Sequence, residues 1–264
     1  MTPDLGLDLD GLRDAAIEAT NAASRIVLDA FGCPRDVVEK APGDWVSAAD
    51  MASERAVREV LLTAWPEFPV FGEEEGGERA DVGWLVDPLD GTTNFLRGFP
   101  VVGVSVALVA DGAPVVGVVS APMLGDLYVA TAGGGATCNG EPIRVSTRSV
   151  ERAICATGFP FRKKTERLDE YFPVFERALR TFEDLRRAGA ASLDLAWTAS
   201  GVFDGYFEQA LGPWDVAAGA LLVREAGGVV TDWSGDDTSW LTSGDIVAAP
   251  PKIHQQLLAL IADA

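Results

Sequence analysis

Apolar residues recur at helical spacing from Asp8 to Phe31, and the run closes on Gly32 and Pro34, which predicts a long first helix. A loop is expected from Cys33 to Trp45. Ser47 and Asp50 then form a pair of the capping-box kind ahead of a second amphipathic helix, Met51 to Trp65, stopped by Pro66. Two short apolar runs, Pro69 to Gly72 and Trp84 to Val86, read as strands, and both end on acid. The first runs into Glu73-Glu74-Glu75, the second into Asp87-Pro88-Leu89-Asp90. From Val101 to Val145, β-rich stretches alternate with Asp-Gly, Leu-Gly-Asp, Gly-Gly-Gly and Asn-Gly turns, the pattern of antiparallel hairpins.

Beyond Val150 the texture changes. Ala153 to Thr157 reads as a strand, Glu170 to Phe182 as a helix despite Pro173, and Ala190 to Ser200 as a helix stopped by Gly201. Val202 to Phe207 is a strand, Trp214 to Ala226 a helix ending in two glycines, Val229 to Trp233 and Ile246 to Ala249 strands, and Lys252 to Ile261 a last helix. The expected architecture is mixed, α+β over about 1–150 and α/β over about 151–264. No repeat and no linker rich in Pro, Gly or Ser separates the two halves, so residues 1–264 are expected to form one domain of helix and sheet layers.

Composition narrows the chemistry. A chain of 264 residues with 48% hydrophobic and 23% charged content suits a globular protein. No targeting pattern marks its start and no apolar run reaches the roughly 18 residues of a membrane span, so a cytoplasmic protein without membrane partners is expected. A formal net charge of −19 repels nucleic acid, and no nucleic-acid partner is expected either. The one basic run, Arg162-Lys163-Lys164, is short, has acids close behind it and reads as a solvated loop. Cys33, Cys138 and Cys155 are odd in number, far apart and read as reduced thiols. The single histidine, His254, falls in the last helical pattern and reads as a surface residue, which leaves carboxylates, hydroxyls and backbone to carry any reaction.

Asp87 and Asp90 stand three apart across a proline, followed by Gly91-Thr92-Thr93-Asn94. Pro88 presets the bend, so both carboxylates and the carbonyl of Leu89 can converge, and hard oxygen donors in a small arc suit magnesium. Gly91 to Asn94 would open a helical turn whose free amides suit an anion. Glu73 at the neighbouring strand end, and Asp215 and Asp50 in the first turns of helices, are further candidate acids. Alone, each of these also fits a plain turn or cap. Lys40, in the loop after the first helix, fits a cation near the acidic pocket or a solvated lysine, the second favoured.

Asp87-Pro88-Leu89-Asp90-Gly91-Thr92-Thr93-Asn94-Phe95 and Trp214-Asp215-Val216-Ala217-Ala218-Gly219, closing on Glu225-Ala226-Gly227-Gly228, resemble the two signature motifs of the inositol monophosphatase family. The likeness extends to Gly72-Glu73-Glu74, Asp44 to Asp50, Gly189-Ala190-Ala191 and Tyr206-Phe207-Glu208, in order, over nearly the whole chain. It implies a layered α-β-α-β-α sandwich, a homodimer, and a lithium-sensitive phosphatase with two or three magnesium ions per site. Glu73, Asp87 and the Leu89 carbonyl would hold one ion, and Asp87, Asp90 and Asp215 a second; a third would lean on Glu73 through water. Asp50 and Thr92 would polarise the attacking water, Asp90 would lie beside the leaving oxygen, Gly91 and Thr92 amides would cradle phosphate, and Ala191 and Glu208 would meet sugar or inositol hydroxyls. The implied substrate is a small phosphorylated metabolite, inositol 1-phosphate first, with fructose 1,6-bisphosphate and histidinol phosphate behind it.

Three rivals stand against this reading. Cys138 and Arg144 satisfy Cys-x5-Arg, but the Asn-Gly-Glu-Pro-Ile between them brings a carboxylate and a proline to what should be an amide-lined phosphate loop, and it suits a hairpin turn. Aspartate-nucleophile phosphatases separate their acid pair by one residue, whereas two residues lie between Asp87 and Asp90. A metal-binding regulatory protein without turnover is the third.

Overall fold

The computed structural model describes residues 6–263, except for the side chains of Arg162, Lys164 and Thr165. Helix α1 (Leu9–Ala30) starts where Asp8 accepts the amide of Gly11, and a short hairpin follows, β1 (Val38–Ala41) and β2 (Asp44–Val46). Helix α2 (Ala48–Ala64) begins three residues before the expected start, because Ser47 and Asp50 form a complete capping box. Strands β3 (Val70–Gly72) and β4 (Val82–Asp90), the short helix α3 (Thr92–Arg97) and strands β5 (Gly103–Ala110), β6 (Ala113–Ala121), β7 (Asp126–Thr131), β8 (Gly135–Cys138) and β9 (Glu141–Pro142) complete a seven-stranded sheet. From β4 to β9 every neighbour pair is antiparallel; β3 joins β4 in parallel.

The chain continues through β10 (Ile154–Thr157), α4 (Lys164–Thr181), β11 (Asp184–Arg186), α5 (Ala191–Ala199), β12 (Gly205–Glu208), α6 (Pro213–Glu225), β13 (Val229–Thr231), α7 (Trp240–Ser243), β14 (Ile246–Ala249) and α8 (Pro251–Ala262). Its strands form a five-stranded sheet in the order β11-β10-β12-β14-β13. Helices α1 and α2 cover one face of the large sheet, α5 and α6 lie between the two sheets, and α4 and α8 cover the far face of the small one, an α-β-α-β-α layering. Helices α5 and α6 are apolar nearly all round because sheets press on both their sides, and the core there runs from Leu193 and Leu195 through Val216 and Leu222 to Tyr206 and Ile246. No helix among the described residues is long and apolar enough to cross a membrane.

Several expectations give way. Part of the expected loop at 33–45 is the β1–β2 hairpin, whose first strand is exposed throughout and so carries no burial period. The strand expected from Val202 starts only at Gly205, after a turn. Arg162-Lys163-Lys164 is no loop, since a 3-10 turn over Phe161–Lys163 leads directly into α4; Lys163 is exposed, and the other two side chains lie outside the described residues. His254 is not a surface residue. It lies on the inner face of α8 with its Nε2 at 2.9 Å from the Thr231 hydroxyl, only 5% exposed. Cys138 and Arg144 flank the Asn139-Gly140 hairpin turn between β8 and β9, as the rejection of the cysteine rival anticipated.

Candidate active site

Strand β4 is buried from Trp84 to Asp90 and carries its acids inward. Its register against β5 shifts between Asp87 and Asp90, where Pro88 has no amide to give to the ladder. The bulge is pinned from α2, where the Ser53 hydroxyl donates to the Pro88 carbonyl at 2.7 Å. Inside it the Leu89 amide donates to Asp87 Oδ1 at 3.0 Å. Carboxylate oxygens of Glu73, Asp87 and Asp215 lie within 4.8 Å of one another, from the ends of β3 and β4 and the first turn of α6. Asp215 also caps its own helix, its Oδ2 accepting from the Gly212 amide at 2.6 Å. Asp90 Oδ2 accepts from the amide and hydroxyl of Ser192 at the start of α5, at 2.7 and 2.6 Å.

These acids are crowded and dry. Burial first, then the neighbouring Glu73, Asp90 and Asp215, push the Asp87 carboxyl well above the ordinary carboxylate range. Burial and then Asp215 push Asp90 up to about 6. Acids so placed require either protons or cations, and an all-oxygen set of this kind fits hard divalent ions such as magnesium.

Asp50 and Thr92 meet on the same side of β4. The Thr92 hydroxyl is 2.9 Å from Asp50 Oδ1 and 3.1 Å from the Leu89 carbonyl, while Asp50 Oδ2 accepts the amide and hydroxyl of Ser47. Burial holds the Asp50 carboxyl above its ordinary range against those hydrogen bonds. Gly91 caps α3 with φ +88°, and a side chain there would meet the Val101 carbonyl at 3.0 Å, so the turn both needs and admits glycine. The first amides of α3 have no acceptor within the helix. Ala191, the first residue of α5, is buried, and its amide also reaches Asp90. Glu208 ends β12, bonded by the Tyr206 hydroxyl and lying against Gly158, and burial pushes its carboxyl up to about 8.

The structure therefore gathers Glu73, Asp87, Asp90 and Asp215 with Leu89, and sets the Asp50–Thr92 pair, Gly91 and Ala191 around them. Glu208 stands on the other sheet, near enough for Asp90 and Asp215 to act on its carboxyl. Three further contributors stand behind the acids, and of these the sequence pointed only to Lys40, as the less favoured of its two readings. Lys40 is not simply solvated: its Nζ lies 2.9 Å from Glu74, 3.5 Å from Asp44 and 3.7 Å from Glu73, so the hairpin is tied to the acid cluster. Glu54, fully buried on α2, accepts the amides of Glu74 and Glu75 at 2.8 and 3.1 Å and pairs with Arg58, fixing the loop that carries Glu73. A side chain at Gly72 would collide with the Glu54 carboxylate. Ser192 anchors Asp90. The sequence signal for Glu54 is its spacing from Arg58, and an i,i+4 pair ordinarily marks a wet helix face.

The family model for the inositol monophosphatase family matches residues 8–264. The putative Nus factor SuhB of Neisseria meningitidis serogroup B is 44% identical over 255 residues, covering 94% of this chain and 97% of that protein. Among solved structures, the extragenic suppressor protein suhB from Bartonella henselae superposes with a TM-score of 0.89 at 36% identity, covering 94% of this chain and 97% of that one. The inositol monophosphatase from Anabaena (Nostoc) sp. gives a TM-score of 0.88 at 34% identity, with 98% of each chain covered. The expectation of no nucleic-acid partner, drawn from net charge and the shortness of the best basic run, receives no support from relatives called Nus factors.

Proposed function

The chain belongs to the inositol monophosphatase family, and from that premise we propose that it is a cytoplasmic, homodimeric, magnesium-dependent and lithium-sensitive phosphomonoester hydrolase whose first substrate is inositol 1-phosphate. The observation that carries the reading is an acid cluster from the ends of β3 and β4 and the first turn of α6 with a hydroxyl–carboxylate pair beside it. Glu73, Asp87 and the Leu89 carbonyl would hold one magnesium ion, Asp87, Asp90 and Asp215 a second, with a third reached from Glu73 through water. Magnesium, when bound, neutralises the crowded acids, acidifies the attacking water and steadies the departing alkoxide.

The chain's own residues supply the rest. The Thr92 hydroxyl donates to Asp50 and so turns a lone pair towards the phosphate side, where it can accept a proton from water. As Thr92 takes a proton from water it passes its own to Asp50, held in place by Ser47, so the proton ends on that carboxylate. The Gly91 and Thr92 amides orient the phosphate oxygens, Asp90 stands beside the leaving oxygen, and Ala191 and Glu208 position the alcohol part. No covalent intermediate is needed, because water polarised beside Thr92 and Asp50 would serve as the nucleophile.

Phosphate release from a panel of phosphorylated metabolites tests the reading. Inositol 1-phosphate is expected to lead, with activity dependent on magnesium, lost in Asp90→Asn and carrying solvent oxygen into the product phosphate. A panel with no turnover at saturating magnesium overturns it.

The relatives' name supports a second reading, a transcription role independent of hydrolysis. An effect of the purified protein on transcript elongation by its host's RNA polymerase, retained in Asp87→Asn, supports that role. No effect from either protein removes it.

A further inference from the structure

Left-handed backbone at a residue other than glycine is uncommon and has to be stabilised by something local. Among the described residues four non-glycines adopt it: Asp36, Asp111, Asn139 and Ala210. Aspartate and asparagine visit this region readily because a short polar side chain can bond nearby backbone, whereas alanine has no such means. Ala210, at φ +63°, must therefore be held by what surrounds it. It stands two residues after Glu208 and five before Asp215, in the segment that joins β12 to α6 and links those two acids.

The hold comes from the corner between α7 and β14. Asp245 Oδ1 accepts the Ala210 amide at 3.1 Å, and the Gly244 carbonyl accepts the Leu211 amide at 2.9 Å. Gly244 closes α7 with φ +73°, and a side chain on it would run into the Leu211 carbonyl, so the two backbones are pressed together there. Asp245 is fixed in turn by Arg167 of α4, whose Nη2 lies 2.6 Å from Asp245 Oδ2 while its Nε donates to Glu170 at 2.9 Å. On the side of the site, the Trp233 indole donates to the Glu208 carbonyl at 3.0 Å, and the Gly212 amide donates to Asp215 Oδ2 at 2.6 Å. Relaxing Ala210 to an ordinary right-handed backbone would redirect the chain between Glu208 and Gly212, and with it the amide that orients Asp215.

We propose that Asp245, braced by Arg167, is a positioning residue that keeps Ala210 in its left-handed turn and so sets Glu208 toward the alcohol part of the substrate and Asp215 toward magnesium. This deepens the phosphatase reading of the same site and rests on it. Asp245 touches neither the substrate nor the reacting atoms, and its action runs through the backbone of one turn. Its loss therefore weakens the uptake of metal and substrate more than the rate once both are bound, since their binding restores the turn. Glycine takes the left-handed conformation without being held, so the need for Asp245 vanishes in Ala210→Gly.

The test is a double-mutant cycle of Asp245→Ala and Ala210→Gly, read by calorimetry of magnesium binding, by KM and kcat for inositol 1-phosphate and by melting temperature. Asp245→Ala is expected to raise the magnesium Kd and the KM about fivefold each, with kcat at saturation changed by less than about twofold. Asp245→Asn, which keeps an acceptor for the Ala210 amide, should recover part of both. Ala210→Gly added to Asp245→Ala should bring both to within about twofold of wild type. A lower melting temperature with Kd and KM unchanged makes Asp245 a structural residue and overturns the proposal, and so does a loss that Ala210→Gly fails to repair. If Asp245→Ala does not fold, Arg167→Gln carries the same comparison with shifts of about threefold, because the Arg167 side chain is 21% exposed and its replacement leaves Asp245 in place. Wild type that binds magnesium but hydrolyses nothing removes the phosphatase reading, while the Kd shift and its repair still decide the role of Asp245. Wild type that binds no magnesium overturns both.

Discussion

Asp87 and Asp204 are both buried aspartates, 1% and 0% exposed, yet their surroundings are opposite. Asp204 is satisfied on every side: the Ser146 hydroxyl and Arg148 Nη1 donate to one oxygen and the Ile154 amide, at 2.7 Å, to the other. Asp87 has one amide and three acids for company. Burial is therefore no mark of function by itself. The carboxylate at Asp204 ties the 146–148 segment to the start of β10, whereas the one at Asp87 lacks compensation that the protein alone can give, and so asks for a cation.

The largest expected effect follows from exchanging these two acids for amides. Asp87→Asn should lower kcat/KM at least a thousandfold while leaving the metal-free protein as stable as wild type or more so, because a repelled charge is removed. Asp204→Asn should keep activity within about threefold yet cost about 2–3 kcal/mol of stability, since a hydrogen-bonded charge is lost from a closed site. Rates at saturating magnesium and urea unfolding of both variants measure the two quantities. If Asp204→Asn proves the more harmful to catalysis, the distinction between the two sites fails.

Next in size is the pH response of the metal-free protein. Asp87 and Asp90 have folded carboxyls raised above their unfolded range, Asp90 to about 6. A raised acid binds its proton more tightly when folded, so the stability it contributes is complete below the unfolded value near 3.8 and is lost as pH rises through about 6. With chelator present, melting temperature should fall between pH 5 and pH 7. Saturating magnesium should flatten that fall, and Asp204→Asn should leave it in place. A melting temperature that rises over this window without metal contradicts the crowding argument.

Glu54 sharpens the comparison at a smaller scale, because it is a buried acid that is saturated like Asp204 but serves Asp87's neighbour. Glu54→Gln keeps the shape and loses an acceptor from the loop behind Glu73, so the magnesium needed for half-maximal rate should rise about tenfold with kcat at saturation changed little. Calorimetry of magnesium binding checks it independently of turnover. An effect on stability alone would make Glu54 a structural residue and nothing more.

How much of this was legible in advance follows the same line. The metal acids could be read because each sits in a local signal: an acid at a strand end, a proline-set bend, a first helical turn. The layers could be read because sheet and helix periods repeat over many residues. Residues whose role depends on who meets them in space could not. Glu54 resembles a solvent-facing partner of Arg58 until β3 packs on it, Lys40 fits a solvated lysine slightly better than a pocket cation until the exposed hairpin brings it to Glu74, and β1 shows no period because all its side chains are wet.

His254 is the last such case and gives the smallest expected effect. In the sequence it stands among glutamines and leucines of a terminal helix, but α8 turns it onto Thr231, and burial lowers its pKa below the ordinary value of 6.5. A base so depressed stays neutral in the folded protein. The stability it contributes is present above pH 6.5 and is lost as pH falls through the folded value, because the unfolded chain takes up the proton first. This slope runs opposite to that of Asp90, so the two can be separated by variant. His254→Gln should remove the acid-side loss while sparing both activity and the metal-dependent fall above pH 5, and Thr231→Val should cost about 1 kcal/mol at pH 8 by stripping the imidazole of its partner. Denaturant melts at pH 5.5 and pH 8 read both, and a variant whose pH profile matches wild type would place the imidazole in water after all.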